Sequence, residues 1–414
     1  MKAIIPLAGR GTRMYPLSKN KPKEMVKVLN KPVLQWCMES LIKNKINDFV
    51  IVIDSGWRGE QVKAYFKRNY PKLSIKYEVP AISLGTGHAL QIGCQNISRE
   101  EKILYIMPDD IYSYKDIKTL LRNGYGLLAT EVKDPEKWGI IETDSKGFVK
   151  RVVEKPRKPR TNLGNIGCYF LPGTIKDHFE KMKRSVRDEF EVTDLITFLA
   201  EESEMKVHKI EGYWLPIGYP WHVLKATNEL IKNFKFQTLG EISKNSTVKG
   251  SLHLPKSSVI KSNCYIEGNL VVGKNSVIGP NVVIAGNVVI GDNCIIENFS
   301  RIKNSSIEDN CIISGSNVSH SVFGNNINFP LSVAGSFEGS FNPEQYDWNS
   351  KGSEVETLIK NQQISTDLLK FGAVIGDNCK FGVETLIYPG TKIWPNSSTN
   401  PREIVKHDII TSWE

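Results

Sequence analysis

From residue 242 onward an aliphatic side chain returns at every sixth position: Ile242, Val248, Leu254, Ile260, Ile266, Val272, Ile278, Ile284, Ile290, Ile296 and Ile302. The next residue is often small, as at Gly273, Gly279, Ala285 and Gly291, and the fourth is often small or a thiol, with Ser276, Val282, Val288 and Cys294 there. Neither the 3.6-residue helical period nor the two-residue strand period yields a repeat of six. A solenoid with three flat faces does, each unit supplying one short strand and one turn. The aliphatic residue then points inward and stacks on its copy in the next coil, where burial is worth about 1.5–3 kcal/mol per side chain. The period resumes at Ile375, Phe381, Ile387 and Ile393. Between them, residues 328–370 are frequent in Asn, Ser, Gly and Glu, and Phe341-Asn342-Pro343 marks a turn. That stretch is expected to be an insert loop thrown out from a coil.

Upstream, strand and helix patterns alternate as in an α/β domain with a mixed sheet between helices. Strands are expected at Ala3–Leu7, Phe49–Ile53, Ile103–Met107, Gly126–Ala129 and Cys168–Leu171, and helices at Val33–Asn44, Glu60–Asn69 and Thr86–Cys94. A last helix around Trp221–Phe236 carries Val223, Leu224, Leu230, Ile231 and Phe234, and leads into the solenoid. The expected domains are therefore 1–235 and 236–414. A chain of 414 residues is too long for a single core, which agrees. No run of about 18 apolar residues suggests a membrane span, and the opening residues read as a first strand rather than a signal peptide. Seven cysteines are scattered without a C-x-x-C pair, which fits buried thiols in a reducing cytoplasm. The net charge of +9 raises nucleic acid as a partner. However, Arg10, Arg13, Lys19, Lys21, Lys23, Lys27 and Lys31 crowd beside one Gly-rich turn, which suits a small polyphosphate better.

That turn is L-A-G-R-G-T-R-M-Y-P-L, Leu7 to Leu17, at the end of the first strand. Gly9 and Gly11 let backbone approach phosphate oxygens closely. A dinucleotide-binding G-x-G-x-x-G would need glycine where Met14 stands, and G-x-x-x-x-G-K is not present. The run continues with K-P-K-E-M at Lys21–Met25. Together these resemble the sugar-1-phosphate nucleotidylyltransferases (nucleotide-sugar pyrophosphorylases), whose signature is G-x-G-T-R followed by P-K. The resemblance implies a Rossmann-like nucleotidyltransferase fold over 1–235. It also implies that Leu7, Ala8, Gly9, Gly11, Thr12 and Arg13 hold nucleotide phosphates and that Lys23 contacts the reacting phosphates.

Further segments resemble the same family in the same order. Gly85-Thr86-Gly87-His88-Ala89 is similar to the L-G-T-G-H-A run that contacts the base. Tyr105–Asp110 is similar to the strand ending in the metal-binding Asp, which places Asp109 as ligand of a Mg²⁺ ion. Trp138-Gly139, Glu154-Lys155-Pro156 and Asn165-Ile166-Gly167 resemble the sugar-binding segments, so Gly139, Glu154, Lys155 and Asn165 are the implied sugar contacts. Glu189–Asp194, E-F-E-V-T-D, also matches and reads as helix capping. The implied reaction is attack of a sugar 1-phosphate on the α-phosphorus of an NTP. Two anions must meet there, so Mg²⁺, Arg13 and Lys23 are expected to neutralise and align them.

Three departures stand out. Pro216 occupies the place of a second metal carboxylate in W-x-D-x-G, Pro80 stands where uridylyl enzymes place a base-reading Gln, and Pro108 replaces the Gly before the metal Asp. UTP or dTTP is the expected nucleotide. The C-terminal repeat resembles the left-handed parallel β-helix of bifunctional sugar-phosphate nucleotidylyltransferase/acetyltransferases, which implies a homotrimer and, with acetyl-CoA as co-substrate, an acetyl transfer. His320 takes the place of its general base. Phe323 replaces a Tyr, and the expected Asn is not evident around Val333–Phe337. The functions left in play are a cytoplasmic nucleotide-sugar enzyme with or without acetyl transfer, a catalytically weakened regulatory or scaffold relative, and an acetyltransferase alone, which Phe323 disfavours.

Overall fold

The computed structural model describes residues 1–335 and 354–410, so the Phe341-Asn342-Pro343 turn and Phe337 lie outside the described residues. The chain divides into two compact units. One comprises Met1–Arg10 and Val33–Pro216, and the other Gly11–Pro32 and the described part of Ile217–Glu414. The signature loop from Gly11 on thus belongs to the same unit as the repeat.

The first unit is a nine-stranded mixed sheet with the order Val149–Glu154, Gly139–Thr143, Leu163–Pro172, Lys102–Ile106, Lys2–Leu7, Asp48–Ile53 and Ser74–Glu78; Gly126–Glu131 joins Leu163–Pro172 and carries Lys206–Lys209. The central strand Lys2–Leu7 holds Pro6, which cannot donate to a ladder. Its pairing with Lys102–Ile106 ends at Ile4↔Tyr105, so Pro6 falls beyond that ladder. The first expected helix forms at Val33–Lys43, burying Val33, Leu34, Cys37, Met38 and Leu41 on one face. Helices at Trp57–Asn69 and Thr86–Gly93 match their expected positions within three residues. Two more form at Tyr114–Asn123 and Val192–Glu202.

The second unit carries a parallel β-helix. Three columns of inward side chains run along it: Val248, Ile266, Ile284, Ile302, Val318, Ala334, Ile387 and Val405; Ile242, Ile260, Ile278, Ile296, Ile313 and Phe329; and Val272, Ile290, Ile307, Phe323, Ile375 and Ile393. All three belong to one core. The turns hold Asn275, Asn293 and Asn310 with φ of 57°, 55° and 58°, a region asparagine tolerates. Their side-chain amides stack from coil to coil at 3.1 Å. Ser276, Cys294 and Cys311 sit inside the turns and donate to carbonyls of the next coil, which accounts for the small or thiol position of the repeat.

Strands at Asn328–Pro330 and Val333–Ala334, inside the expected insert, pair with the preceding coil. A hairpin follows at Glu356–Ile359 and Gln362–Ser365. The buried Lys392 ammonium donates to Thr357 Oγ1 at 3.0 Å and pairs with Asp408 at 2.7 Å, tying that hairpin to a coil. The last helix runs His222–Leu230, with one 3-10 turn at Ile231–Asn233 after it. All seven cysteines are buried and none forms a disulfide. Burial pushes the Cys37 thiol up to about 12. Among the described residues no helix is long and apolar enough to cross a membrane.

Candidate functional site

In the second unit the signature loop folds back on itself. Gly11 has φ +63°, and a Cβ there would meet Lys23 Cβ at 2.8 Å, so a larger residue would push Lys23 away. The Ser18 hydroxyl donates to Gly11 O at 2.8 Å and holds the bend. Thr12–Met14 makes a single 3-10 turn, and Lys23 opens a second, Lys23–Met25. Arg13 lies over the Tyr219 ring, 5.5 Å from its centre, and Tyr219 stacks on buried Trp221 at 4.6 Å. The fold therefore brings Gly11 against Lys23 and gives Arg13 an aromatic rest that the sequence did not reveal.

In the first unit, Leu7 ends the central strand, followed by Ala8 and Gly9. Gly85 and Thr86 begin the helix Thr86–Gly93. The Thr86 hydroxyl accepts the Val192 N–H at 3.1 Å, and its carbonyl accepts the Tyr105 hydroxyl at 2.6 Å. Gly87 N–H donates to Phe190 O, and Phe190 N–H donates to Leu84 O, so the two motif segments are zipped together. Glu191 stands at the N-cap of Val192–Glu202 but makes no side-chain cap bond. Its carboxylate instead accepts from Ser185 and Arg187, and Thr86 does the capping.

The segment expected to carry the metal ligand leads into a small antiparallel pair, Asp110–Tyr112 with Trp214–Pro216, in which Pro216 lies opposite Asp110. The Trp214 indole N–H donates to Asp110 Oδ2 at 2.8 Å. Asp110 thus spends one carboxylate oxygen on a structural bond. Among the described residues there is no group of three or more His, Cys, Asp and Glu side chains that could hold a metal ion. Mg²⁺ binding through one carboxylate, waters and substrate phosphates suits such a poor donor set.

The sugar segments converge. A Cβ on Gly139 would stand 3.0 Å from Glu154 Oε2 and 3.4 Å from Asn165 Nδ2. Gly139 and Glu154 are cross-strand partners. Asn165 donates to the Tyr169 hydroxyl at 2.6 Å, and Gly167 N–H donates to Asn165 Oδ1, which fixes the amide. Burial raises the Glu154 carboxyl above the usual range, with Arg187, 3.2 Å away, drawing it partly back. Lys155 follows with φ 45° and its N–H on Trp138 O. Beside it, Trp138 and Trp214 meet edge to face at 5.0 Å along a cleft of about 360 Å³ that also reaches Pro216.

Residues 2–233 match the family described as Nucleotidyl transferase. The chain belongs to that family. A second match, Bacterial transferase hexapeptide (six repeats), covers residues 269–304. The bifunctional protein GlmU of Methanococcus maripaludis (strain C7) is 37% identical over 99% of this chain and 95% of its own length. The bifunctional sugar-1-phosphate nucleotidylyltransferase/acetyltransferase of Sulfurisphaera tokodaii is 30% identical over 99% and 98%. A solved UDP-glucose pyrophosphorylase complexed with UDP-glucose covers 56% of this chain and 99% of its own, at 25% identity and a TM-score of 0.50. A putative glucose-1-phosphate thymidylyltransferase from Bacillus anthracis shares the fold at 23% identity and a TM-score of 0.51, over 57% and 98%. The activity of this nucleotidyl transferase is sugar-1-phosphate nucleotidyl transfer.

In the repeat of this nucleotidyl transferase, His320 sits on a turn with φ 52°. Asn304 Oδ1 accepts the Asn287 N–H, so its Nδ2 faces His320 Nε2 at 3.0 Å as donor. Phe323, expected to stand in for a site Tyr, lies fully buried in an inward column and packs edge to face on Phe329 at 5.3 Å. A hydroxyl there would need a hydrogen-bond partner inside an apolar core. Arg187, Tyr169, Tyr219 and Asn304 escaped the sequence reading, because each reaches its partner through the fold and none lies in a signature motif.

Proposed function

We propose that the chain transfers the nucleotidyl group of UTP or dTTP to a sugar 1-phosphate in the cytoplasm. A phosphate oxygen of the sugar 1-phosphate bonds to the α-phosphorus, the bond from that phosphorus to the α,β-bridging oxygen breaks, and pyrophosphate leaves with the electron pair. The backbone from Leu7 to Thr12 receives the triphosphate, Gly85 and Thr86 border the base, and Arg13 and Lys23 supply positive charge to the phosphates. Gly139, Glu154 and Asn165 hold the sugar, with Lys155 at its phosphate. Asp109 would hold Mg²⁺, which screens the phosphate charge. The observation that carries this reading is the meeting of Gly139, Glu154 and Asn165 from three strands around one point, with a half-buried carboxylate and a fixed amide suited to sugar hydroxyls.

A second activity, acetyl transfer from acetyl-CoA at His320 of a homotrimer, is the finer proposal, and we expect it to be slow. A general base needs an available lone pair, and the one on Nε2 is engaged by Asn304. A scaffold role is the competing reading, favoured by Pro216 opposite Asp110. Pyrophosphate release from four NTPs against a panel of sugar 1-phosphates decides between them, with thiol release from acetyl-CoA and amino-sugar 1-phosphates as a second channel. Turnover with a uridine or thymidine triphosphate supports the enzyme. No release from any pair would leave the scaffold.

A further inference from the structure

At one turn of the repeat a carboxylate stands where neighbouring coils have glycine. In one turn of successive coils, the residue after the inward side chain is Gly273, Gly291, Gly324 and Gly376, but after Ile307 it is Glu308. Glu308 is buried, and it pairs with Lys21, two residues before Lys23 in the signature loop. Lys21 also reaches Asp377 Oδ1 at 3.1 Å, two coils further on. Asn325 Nδ2, from the coil between, donates to Glu308 at 2.7 Å and Asp377 at 3.3 Å and closes the network. The Lys27 N–H donates to Glu308 Oε1 at 3.0 Å, the Lys27 ammonium pairs with Asp309, and Asn30 Nδ2 donates to Ile290 O at 2.8 Å. Tyr15 adds an edge-to-face contact with Trp394 at 6.4 Å. Burial alone lowers the Lys21 pKa, yet the two carboxylates raise it above the usual lysine value, so the ammonium stays charged.

We propose that Lys21 is a positioning residue: its ion pairs with Glu308 and Asp377 anchor the phosphate loop to the β-helix and so set where Arg13 and Lys23 stand. This rests on the nucleotidyl-transfer reading. Neutralising one partner leaves the others charged and buried, and Pro22 is all that separates Lys21 from Lys23. A displacement of the order of 1 Å at such a group can cost about a hundredfold in rate.

The test uses the full chain with Lys21→Met, Glu308→Gln and, should Lys21→Met fail to fold, the double variant Lys21→Met/Glu308→Gln. Lys392→Met is the control for a purely structural buried lysine. The expected result is kcat/KM for the NTP down about 10–100-fold, with KM for the sugar 1-phosphate nearly unchanged. Amide exchange across residues 11–25 should rise about tenfold or more, while the coils keep their protection. Lys392→Met should lower the melting temperature without moving kcat/KM. Unchanged exchange in residues 11–25, or faster exchange with unchanged turnover, overturns the proposal. So does an equal activity loss in Lys392→Met. If the wild type turns over no substrate pair, the functional reading fails, and exchange alone decides whether Lys21 anchors the loop.

Discussion

With Asp109 proposed as the Mg²⁺ ligand and Asp110 bonded to Trp214, exchanging each for asparagine should separate catalysis from folding. Asp110 Oδ2 accepts the Trp214 indole N–H at 2.8 Å across the Asp110–Tyr112/Trp214–Pro216 pair. An asparagine there can still accept through its amide oxygen, so only the gain from charge is lost. Bonds to charged groups are worth about 1.5–3 kcal/mol against about 0.5–1.5 for neutral ones, a difference of about 1 kcal/mol. For a unit of this size that lowers the melting temperature by about 2–4 °C. Losing a charge partner of the reacting phosphates costs about 10²–10³ in rate, roughly 3–4 kcal/mol. Asp109→Asn should therefore cut kcat by that factor, demand much more Mg²⁺ and barely move the melting temperature. Asp110→Asn should melt earlier with its Mg²⁺ dependence intact. Pyrophosphate release titrated with MgCl₂, beside thermal melts of both variants, reads out the pair. The reverse pattern would refute the assignment of Asp109 as the ligand.

Two further outcomes follow from the first unit. Glu154 has its pKa raised by burial, so its carboxylate is lost on acidification at a higher pH than an exposed glutamate, whose value is about 4.3. KM for the sugar 1-phosphate should rise along that limb and the limb should vanish in Glu154→Gln, whereas Glu154's own contribution to stability has the opposite sign and is lost as pH rises through the raised pKa. Thr86 caps the Val192–Glu202 helix, so Thr86→Val should cost about 0.5–2 kcal/mol in a denaturant melt and Thr86→Ser much less. A raised KM for the NTP with an unchanged melt would assign Thr86 to the nucleotide alone.

What was legible in the sequence depended on whether the chemistry is contiguous. The six-residue period announced the β-helix because one residue per face forms the core. Past Ile302 the coils shorten: Ile266 pairs with Ile284 eighteen residues on, but Ile302 pairs with Val318 sixteen residues on. Turn residues are dropped while the inward positions stay, so Val318, Phe323, Phe329 and Ala334 continue columns that a strict period of six misses. Gly139, Glu154 and Asn165 were readable as separate motifs, and the sheet brings them together through neighbouring strands. Arg187 reaches Glu154 across 33 positions, and nothing in its own neighbourhood signals that it tunes that carboxylate.

Glu308 marks the boundary between these cases. Its carboxylate is visible in the sequence as an exception at a position where neighbouring coils have glycine, and a repeat alone explains only that such a charge must be stabilised somewhere. A buried carboxylate requires a partner of opposite charge or strong hydrogen bonds, because desolvation otherwise costs several kcal/mol. The partner is Lys21, 287 residues away, in the basic cluster that a polyphosphate ligand seemed to explain in full. That cluster therefore divides by physical role. Arg13, over Tyr219, and Lys23, beside Gly11, belong to the loop proposed to face phosphates. Lys21 and Lys27 face the carboxylates of the coils. Two of the seven cations in that cluster face the repeat, and by the proposal above they fix the loop on which Arg13 and Lys23 stand.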